Sequence, residues 1–423
     1  MPPPQARRRR SLLADAGFQR LLTVRLVGQF GDGLLQVGLA SFVFFSPERA
    51  ATPERIAAGF AVLLLPFCLV GPFAGVLLDR WSRQRVLLLA NTTRAAGLVV
   101  LALLADTGAE NPGFYVTALV ILGINRFILA GLSASLPQVV ARRDLVVANS
   151  LAPTAGTVAT VLGASAGVLI RHWVGVDDFG TAVVLFTSAA VCLLAGVSAL
   201  RFTHDALGPI APTTVRLRHS LGDVGRGFAA GIRHLGQRPA ATRALLVMTG
   251  HRFLYGVTTV MGILLFRNDF FRGDVERAFG GLGLAVGAAG LGVLVGAALT
   301  PWGTRRWGTN RWTGIALAGA AVAQLALVMA LRTSGLVAAS FALGVVAQIV
   351  KIGVDAVLQR HIDDGFRGRV FTIYDLLFNV AYVAAAALAA LVLPSNGRAP
   401  WSVVAVSIGY VALAVWYSRP HQP

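Results

Sequence analysis

Apolar residues run through this chain in long blocks separated by short gaps that carry most of the arginines. A helix needs about 20 mostly apolar residues to cross a bilayer. Twelve blocks meet that length, at 21–45, 56–78, 86–105, 114–138, 148–170, 180–200, 244–266, 279–300, 312–331, 336–358, 370–393 and 400–417. One long gap, 201–243, follows the sixth block and divides the chain six plus six. The pattern predicts an all-α integral membrane protein of twelve transmembrane helices in two six-helix bundles. The expected organisation is a tail at 1–20, a bundle at 21–200, a linker at 201–243, a second bundle at 244–417 and a tail at 418–423.

Within the linker, Leu221, Val224, Phe228, Ile232 and Leu235 recur at spacings of 3, 4, 4 and 3, while Asp223, Arg226 and Arg233 fall mostly off that stripe. This predicts an amphipathic helix lying along the inner membrane surface, with a soluble linker helix as the alternative. The stretch "GPIAPTT" before it reads as a flexible joint.

Composition agrees. The chain is 56% hydrophobic and 13% charged, with a mean hydropathy of +0.69, whereas soluble domains carry about 25% charged residues. The basic excess, 37 Lys and Arg against 19 Asp and Glu, suggests nucleic acid until its placement is read. With the N-terminus inside, inner segments hold 24 basic residues, outer loops 8 and spans 5. That asymmetry predicts a multi-pass protein of the cell membrane with both termini cytoplasmic and no nucleic-acid partner. No signal-peptide cleavage site is expected after "MPPPQARRRR". Cys68 and Cys192 lie inside apolar blocks, so neither a disulfide framework nor a metal site is expected, and no cofactor.

An offset of 221 residues relates Gly75 to Gly296, Gly123 to Gly344 and Gln138 to Gln359, which suggests two related halves. The loop after the second block reads "GVLLDRWSRQR". Gly75 allows close helix approach, Asp79 ends the helix, and Arg80, Arg83 and Arg85 are expected to hold the loop at the anionic inner surface. Here the chain resembles the major facilitator superfamily, whose loop signature G-x-x-x-D-R-x-G-R-[RK] is matched by Gly75, Asp79, Arg80 and Arg83. Ser82 and Gln84 depart from it. The resemblance covers essentially the whole chain. It implies an inner gate of Asp79 with the eleventh helix, where Asp375 stands. The second half has Thr300 where an Asp would be, so the gate would be one-sided. The stretches "RFILAGLSASLPQVVARRDLVVANSL" and "LQRHIDDGFRGRVFTIYDLLFNVAYV" resemble the macrolide-efflux and siderophore-exporter branch. "GASAG" at 163–167 keeps part of that family's fifth-helix antiporter motif.

Ionisable residues inside spans cost about 2.5–3.5 kcal/mol on insertion scales and are functional candidates by default. Arg25 and Asp375 lie near inner ends, as anchors or gate parts, and Arg94 falls within snorkelling reach, where structural pairing is expected. Asp32 is mid-span between Gly31 and Gly33, with Gln29 and Gln36 about a turn away. The resemblance puts helices one, four, seven and ten around a central cavity, so Asp32, Arg126 and Arg252 are expected to approach one another. Burial opposes a carboxylate's ionised form and a guanidinium favours it, so Asp32 reads either as a proton-coupling group or as half of a permanent ion pair. His251, a residue type that titrates near neutrality, is placed to share the coupling role. Lys351, the one lysine of the chain, stands four residues before Asp355. Lys before Asp is the weaker order for a helical pair, so the readings are an inner-cavity charge or a snorkelling anchor.

The resulting expectation is a secondary transporter, with protons, membrane lipids and a small-molecule substrate as partners, acting as a monomer that exports an amphipathic compound. The basic lean of Arg126, Arg252 and Lys351 against Asp32 and Asp355 slightly favours anionic or zwitterionic substrates. An importer and a non-transporting receptor or scaffold are the alternatives. A lone lysine in "IVKIG" rules out a Walker A motif, and no nucleophile–base arrangement points to an enzyme.

Overall fold

The structure, a computed structural model, describes residues 15–44, 52–69, 78, 81–106, 112–141, 144–208, 217–329 and 332–419. Hydrocarbon cannot hydrogen-bond a free amide, so a segment crossing it closes its own backbone bonds. Among the described residues thirteen α-helices do so, and there is no strand. They are α1 (Ala16–Phe44), α2 (Pro53–Leu69), α3 (Arg83–Asp106), α4 (Pro112–Val139), α5 (Leu145–Val174), α6 (Asp178–Ser198), α7 (Leu217–Gly236), α8 (Pro239–Leu265), α9 (Val275–Trp307), α10 (Thr309–Met329), α11 (Thr333–His361), α12 (Asp364–Val392) and α13 (Pro400–Ser418). Twelve coincide with the predicted spans, and α7 is the linker helix. Among the described residues eight are by themselves long and apolar enough to cross a membrane; the other four are α1, α2, α8 and α10.

The helices form two compact units. One holds Leu65–Val224 with the chain up to Glu48, and the other holds Gly225–Pro423 with Arg49–Leu64. In the first, α1 packs on α5 and α6, and α3 on α6; in the second, α8 packs on α12 and α13, and α10 on α13. These are the same pairings displaced by 221 residues. The shift carries α1 to 237–265 and α4 to 333–360, against Pro239–Leu265 and Thr333–His361 as found.

Small residues let the backbones meet. A Cβ on Gly163 of α5 would stand 2.0 Å from the Phe30 carbonyl oxygen of α1, and one on Gly33 would stand 2.0 Å from that of Thr160. The glycines of "GASAG" therefore face α1. In the second unit, Gly292 of α9 and Gly344 of α11 each lie 2.1 Å, by the same measure, from a carbonyl oxygen of the facing helix. Helix α9 shows the resulting inside-out pattern. It buries Gly281, Ala285, Gly292, Gly296 and Thr300 and exposes Leu284, Val286, Leu291 and Leu294, as suits a lipid solvent. Gly308, at φ +79°, then ends α9 with its N–H on the Thr304 carbonyl.

Helix α7 is the helix expected in the linker, and part of its apolar stripe is covered by protein. Its second half packs on the start of α12: His234 stacks on Phe366 at 4.3 Å, Gly231 abuts Ile373 and Arg369, and Leu235 and Phe228 join the core of the second unit. Ile232, one of the five stripe residues, is exposed. Arg238, just beyond α7, places two hydrogen bonds of 3.1 and 3.0 Å on Asp363.

Gly33→Val and Gly163→Val should each destabilise the detergent-solubilised protein by the roughly 1–3 kcal/mol typical of overpacking or more, read as a lower melting temperature, because backbone cannot yield as a side chain can. Gly283→Val, where an added Cβ meets nothing within 4 Å, should leave it within error in the same thermal size-exclusion assay.

Candidate functional site

In the first unit four helices converge on one buried charge pair. Asp32 of α1 is 4% exposed and Arg94 of α3 is fully buried, and their side chains are ion-paired. Arg94 also donates 2.8 Å to Asn125 Oδ1 of α4 and 3.4 Å to the Gly28 carbonyl. Asn125 is in turn within reach of the Asp32 carboxyl. From α6, Ser188 donates 2.9 Å to the Gly31 carbonyl, and Cys192 lies against Arg94, with its sulfur 2.9 Å from where a Cβ on Gly31 would stand. Gly31 is therefore needed for α6 to approach the Asp32 turn.

The arginine on Asp32 is thus Arg94, from the same unit, where the resemblance had suggested Arg126 and Arg252 as neighbours. Arg94 is the twelfth residue of a 24-residue helix, too deep to reach an interface. The contact from α4 comes from Asn125, the neighbour of Arg126. Arg126 itself is half-buried, and Gln36 is exposed. Gln29 packs its side chain over Gly156 of α5. Arg25, expected near the interface, is 7% exposed and donates 3.2 Å to Ser133.

The second unit holds a different arrangement. The Arg252 guanidinium of α8 lies 3.8 Å from the ring centroid of Phe378, 4.7 Å from that of Tyr382 and 5.9 Å from that of Tyr255. No described carboxylate pairs with it, and its buried Nε has no hydrogen-bond partner. Rings of this kind stabilise a cation by about 0.5–1 kcal/mol at exposed sites and about 2 or more when desolvated. His251 is buried with Nδ1 3.3 Å from the Tyr410 hydroxyl. Beside this group α8, α9 and α11 line a cavity of about 590 Å³ counting its open mouth, with Tyr255, Thr258, Thr259 and Ser340 on its walls.

Lys351 and Asp355 bond each other at 2.7 Å despite the weaker order. Neither is deep in the protein, at 49% and 25% side-chain exposure. The loop motif is partly visible. Gly75, Asp79 and Arg80 lie outside the described residues. Arg83 turns inward: it is 9% exposed and donates 2.7 Å to the Ala134 carbonyl and 3.3 Å to that of Leu207, tying the start of α3 to α4 and to the segment that follows α6. Ser82 reinforces it through the His204 carbonyl at 2.6 Å. Asp375 is exposed on α12.

Asn125, Ser188 and the aromatic cage were missed from sequence. A signal existed for the cage: Tyr374, Phe378 and Tyr382 recur every four residues in "TIYDLLFNVAYV" and share one face of α12.

Removing one partner of a buried ion pair costs about 3–5 kcal/mol because the other charge is left uncompensated. Asp32→Asn and Arg94→Gln should each lower thermal stability, and the double variant should lose less than their sum. A double-mutant cycle should return a coupling of about 0.5–3 kcal/mol; a sum within error would mean that the pair contributes nothing.

The Major Facilitator Superfamily sequence profile matches residues 24–333. An uncharacterised MFS-type transporter, Rv0037c of Mycobacterium tuberculosis, is 40% identical over 408 residues, 95% of this chain and 91% of its own length. Mb0038c of Mycobacterium bovis matches with the same figures. Among solved structures the nucleoside transporter NupG aligns with a TM-score of 0.67 at 14% identity, over 95% of this chain and 98% of its own. The POT family transporter PepTSo gives 0.68 at 12%, over 96% and 97%. The Escherichia coli fucose:proton symporter FucP, solved as a single-substitution variant, gives 0.57 at 13%, over 95% and 98%. At such identities the structures speak for the fold, while the sequence profile and the mycobacterial relatives speak for descent: the chain belongs to the major facilitator superfamily and is a multi-pass membrane transporter of that type.

Proposed function

We propose that the protein is a proton-coupled exporter of a small amphipathic compound, of the drug, antibiotic or siderophore kind, working by alternating access as a monomer in the cell membrane with both termini cytoplasmic. The observation that carries proton coupling is the Asp32–Arg94 pair taken with its counterpart in the second half. The 221 offset maps Asp32, Arg94, Asn125 and Cys192 onto Phe253, Ile315, Val346 and Leu413, all apolar. The same helix pairings are therefore built without any charge, and the pair is not a requirement of the fold. A charge retained in hydrocarbon without a packing need is a candidate for a proton site. Protonating Asp32 would release Arg94, and substrate or a conformational change would then compete with re-pairing.

Export rests on the resemblance to the macrolide-efflux and siderophore-exporter branch, on the glycines at 163–167 and on the arginine asymmetry that sets orientation. The second reading is a proton-linked importer, favoured by the structural likeness to a fucose:proton symporter. In both, Asp32 has the same role and only the direction differs.

Cells with and without the gene, compared for retention of and susceptibility to antibiotics, dyes and siderophores, should show lower retention of at least one compound when the gene is present. Higher retention would establish import instead. In proteoliposomes with that compound, an imposed pH gradient should drive its movement, and Asp32→Asn should cut the driven flux by at least roughly tenfold, in the range of a lost proton-transfer group. Full driven flux in the variant would confine Asp32 to a structural role.

A further inference from the structure

From the surroundings of Arg252 we infer that the transported compound carries a single negative charge on an otherwise apolar, ring-bearing body, and that Arg252, set among Tyr255, Phe378 and Tyr382, is the group that binds this charge. The inference deepens the transport reading and rests on it.

Three observations converge. Arg252 is half-buried and no described acid pairs with it: Arg94 has Asp32, while the contacts of Arg252 are aromatic rings at 3.8, 4.7 and 5.9 Å. A guanidinium carries five N–H donors in its plane, suited to fork onto a carboxylate, and rings over its faces do not use them. The Nε of Arg252 is buried with no hydrogen-bond partner.

The second observation is the cavity. Tyr255 belongs both to the ring set around Arg252 and to the wall of the cavity of about 590 Å³ between α8, α9 and α11. Leu282 and Leu336 give the cavity apolar walls, and Thr258, Thr259 and Ser340 give it hydroxyls. Each hydroxyl donates to the carbonyl four residues back, Thr258 Oγ1 also accepts 2.7 Å from Gln324 Nε2, and Thr259 is within reach of the Tyr382 hydroxyl, so of the three oxygens Ser340's is the one left toward a ligand's donors.

Third, the cage belongs to one half alone. The 221-residue counterparts of Arg252, Tyr255, Phe378 and Tyr382 are Gly31, Leu34, Thr157 and Val161. Helices α1 and α5 pack without a cation or a ring at these positions, so helix packing does not account for the cage.

The test uses three probes of one shape and different charge, benzoate, benzamide and benzylamine, on the purified full chain in lipid nanodiscs, with equilibrium binding read by thermophoresis and by shift of the melting temperature. Benzoate should bind and stabilise, and the other two should bind at least roughly tenfold more weakly, the size of one charge-assisted hydrogen bond. Arg252→Gln should lose the benzoate preference, while Arg252→Lys, which keeps the charge, should retain part of it and controls for loss of fold. Equal binding of benzylamine or benzamide would overturn the inference. So would an unchanged benzoate affinity in folded Arg252→Gln, or no benzoate binding up to its solubility limit. Because no gradient or flux is involved, any of these leaves the transport reading to the retention screen.

Discussion

Hydrocarbon offers a charged side chain no water to fall back on, so each ionisable group in the spans must find its compensation inside the protein. This chain meets the demand in separate ways. Asp32 and Arg94 cancel each other at the convergence of α1, α3, α4 and α6. Arg252 is held by ring faces. Lys351 and Asp355 pair along one helix and stay partly exposed. The first is neutral and closed; the second keeps its charge available.

The two halves make the comparison internal. Both use the same helix pairings, offset by 221 residues, and in both units glycines let backbones approach where a Cβ would meet a carbonyl oxygen near 2 Å. Against that shared frame the charged and aromatic residues of the two sites differ. Where the first half has Asp32 and Arg94, the second has Phe253 and Ile315; where the second has Arg252 and Tyr382, the first has Gly31 and Val161. The frame is set by backbone contact and the chemistry by substitutions on it. This is why likeness of fold to nucleoside, peptide and sugar transporters says little about cargo.

Much of the fold was legible in the sequence because lipid imposes a one-dimensional code: length and apolarity alone mark a span. All twelve spans, the linker helix and the 221 offset come from that code. The pairing of Asp32 did not, because it depends on how each helix is rotated about its axis. Arg94 illustrates the difficulty. Hydropathy began its span at residue 86, but the helix starts at Arg83, whose side chain turns inward onto carbonyls. The added turn puts Arg94 mid-helix, out of snorkelling range and level with a partner. The ring stripe of Tyr374, Phe378 and Tyr382 was readable at four-residue spacing. Its meaning was not, since only the fold sets it over Arg252. The gate motif at Gly75, Asp79 and Arg80 stands as an expectation, outside the described residues.

The claim on which the rest turns is that Asp32 exchanges a proton, rather than serving as a fixed half of a salt bridge. Infrared difference spectroscopy of the purified protein across a pH titration tests it directly, comparing wild type with Asp32→Asn. If Asp32 is the coupling group, acidification produces a protonated-carboxyl band in the wild type that is missing from the variant. Identical difference spectra for the two proteins would contradict it and leave Asp32 and Arg94 as a permanent pair.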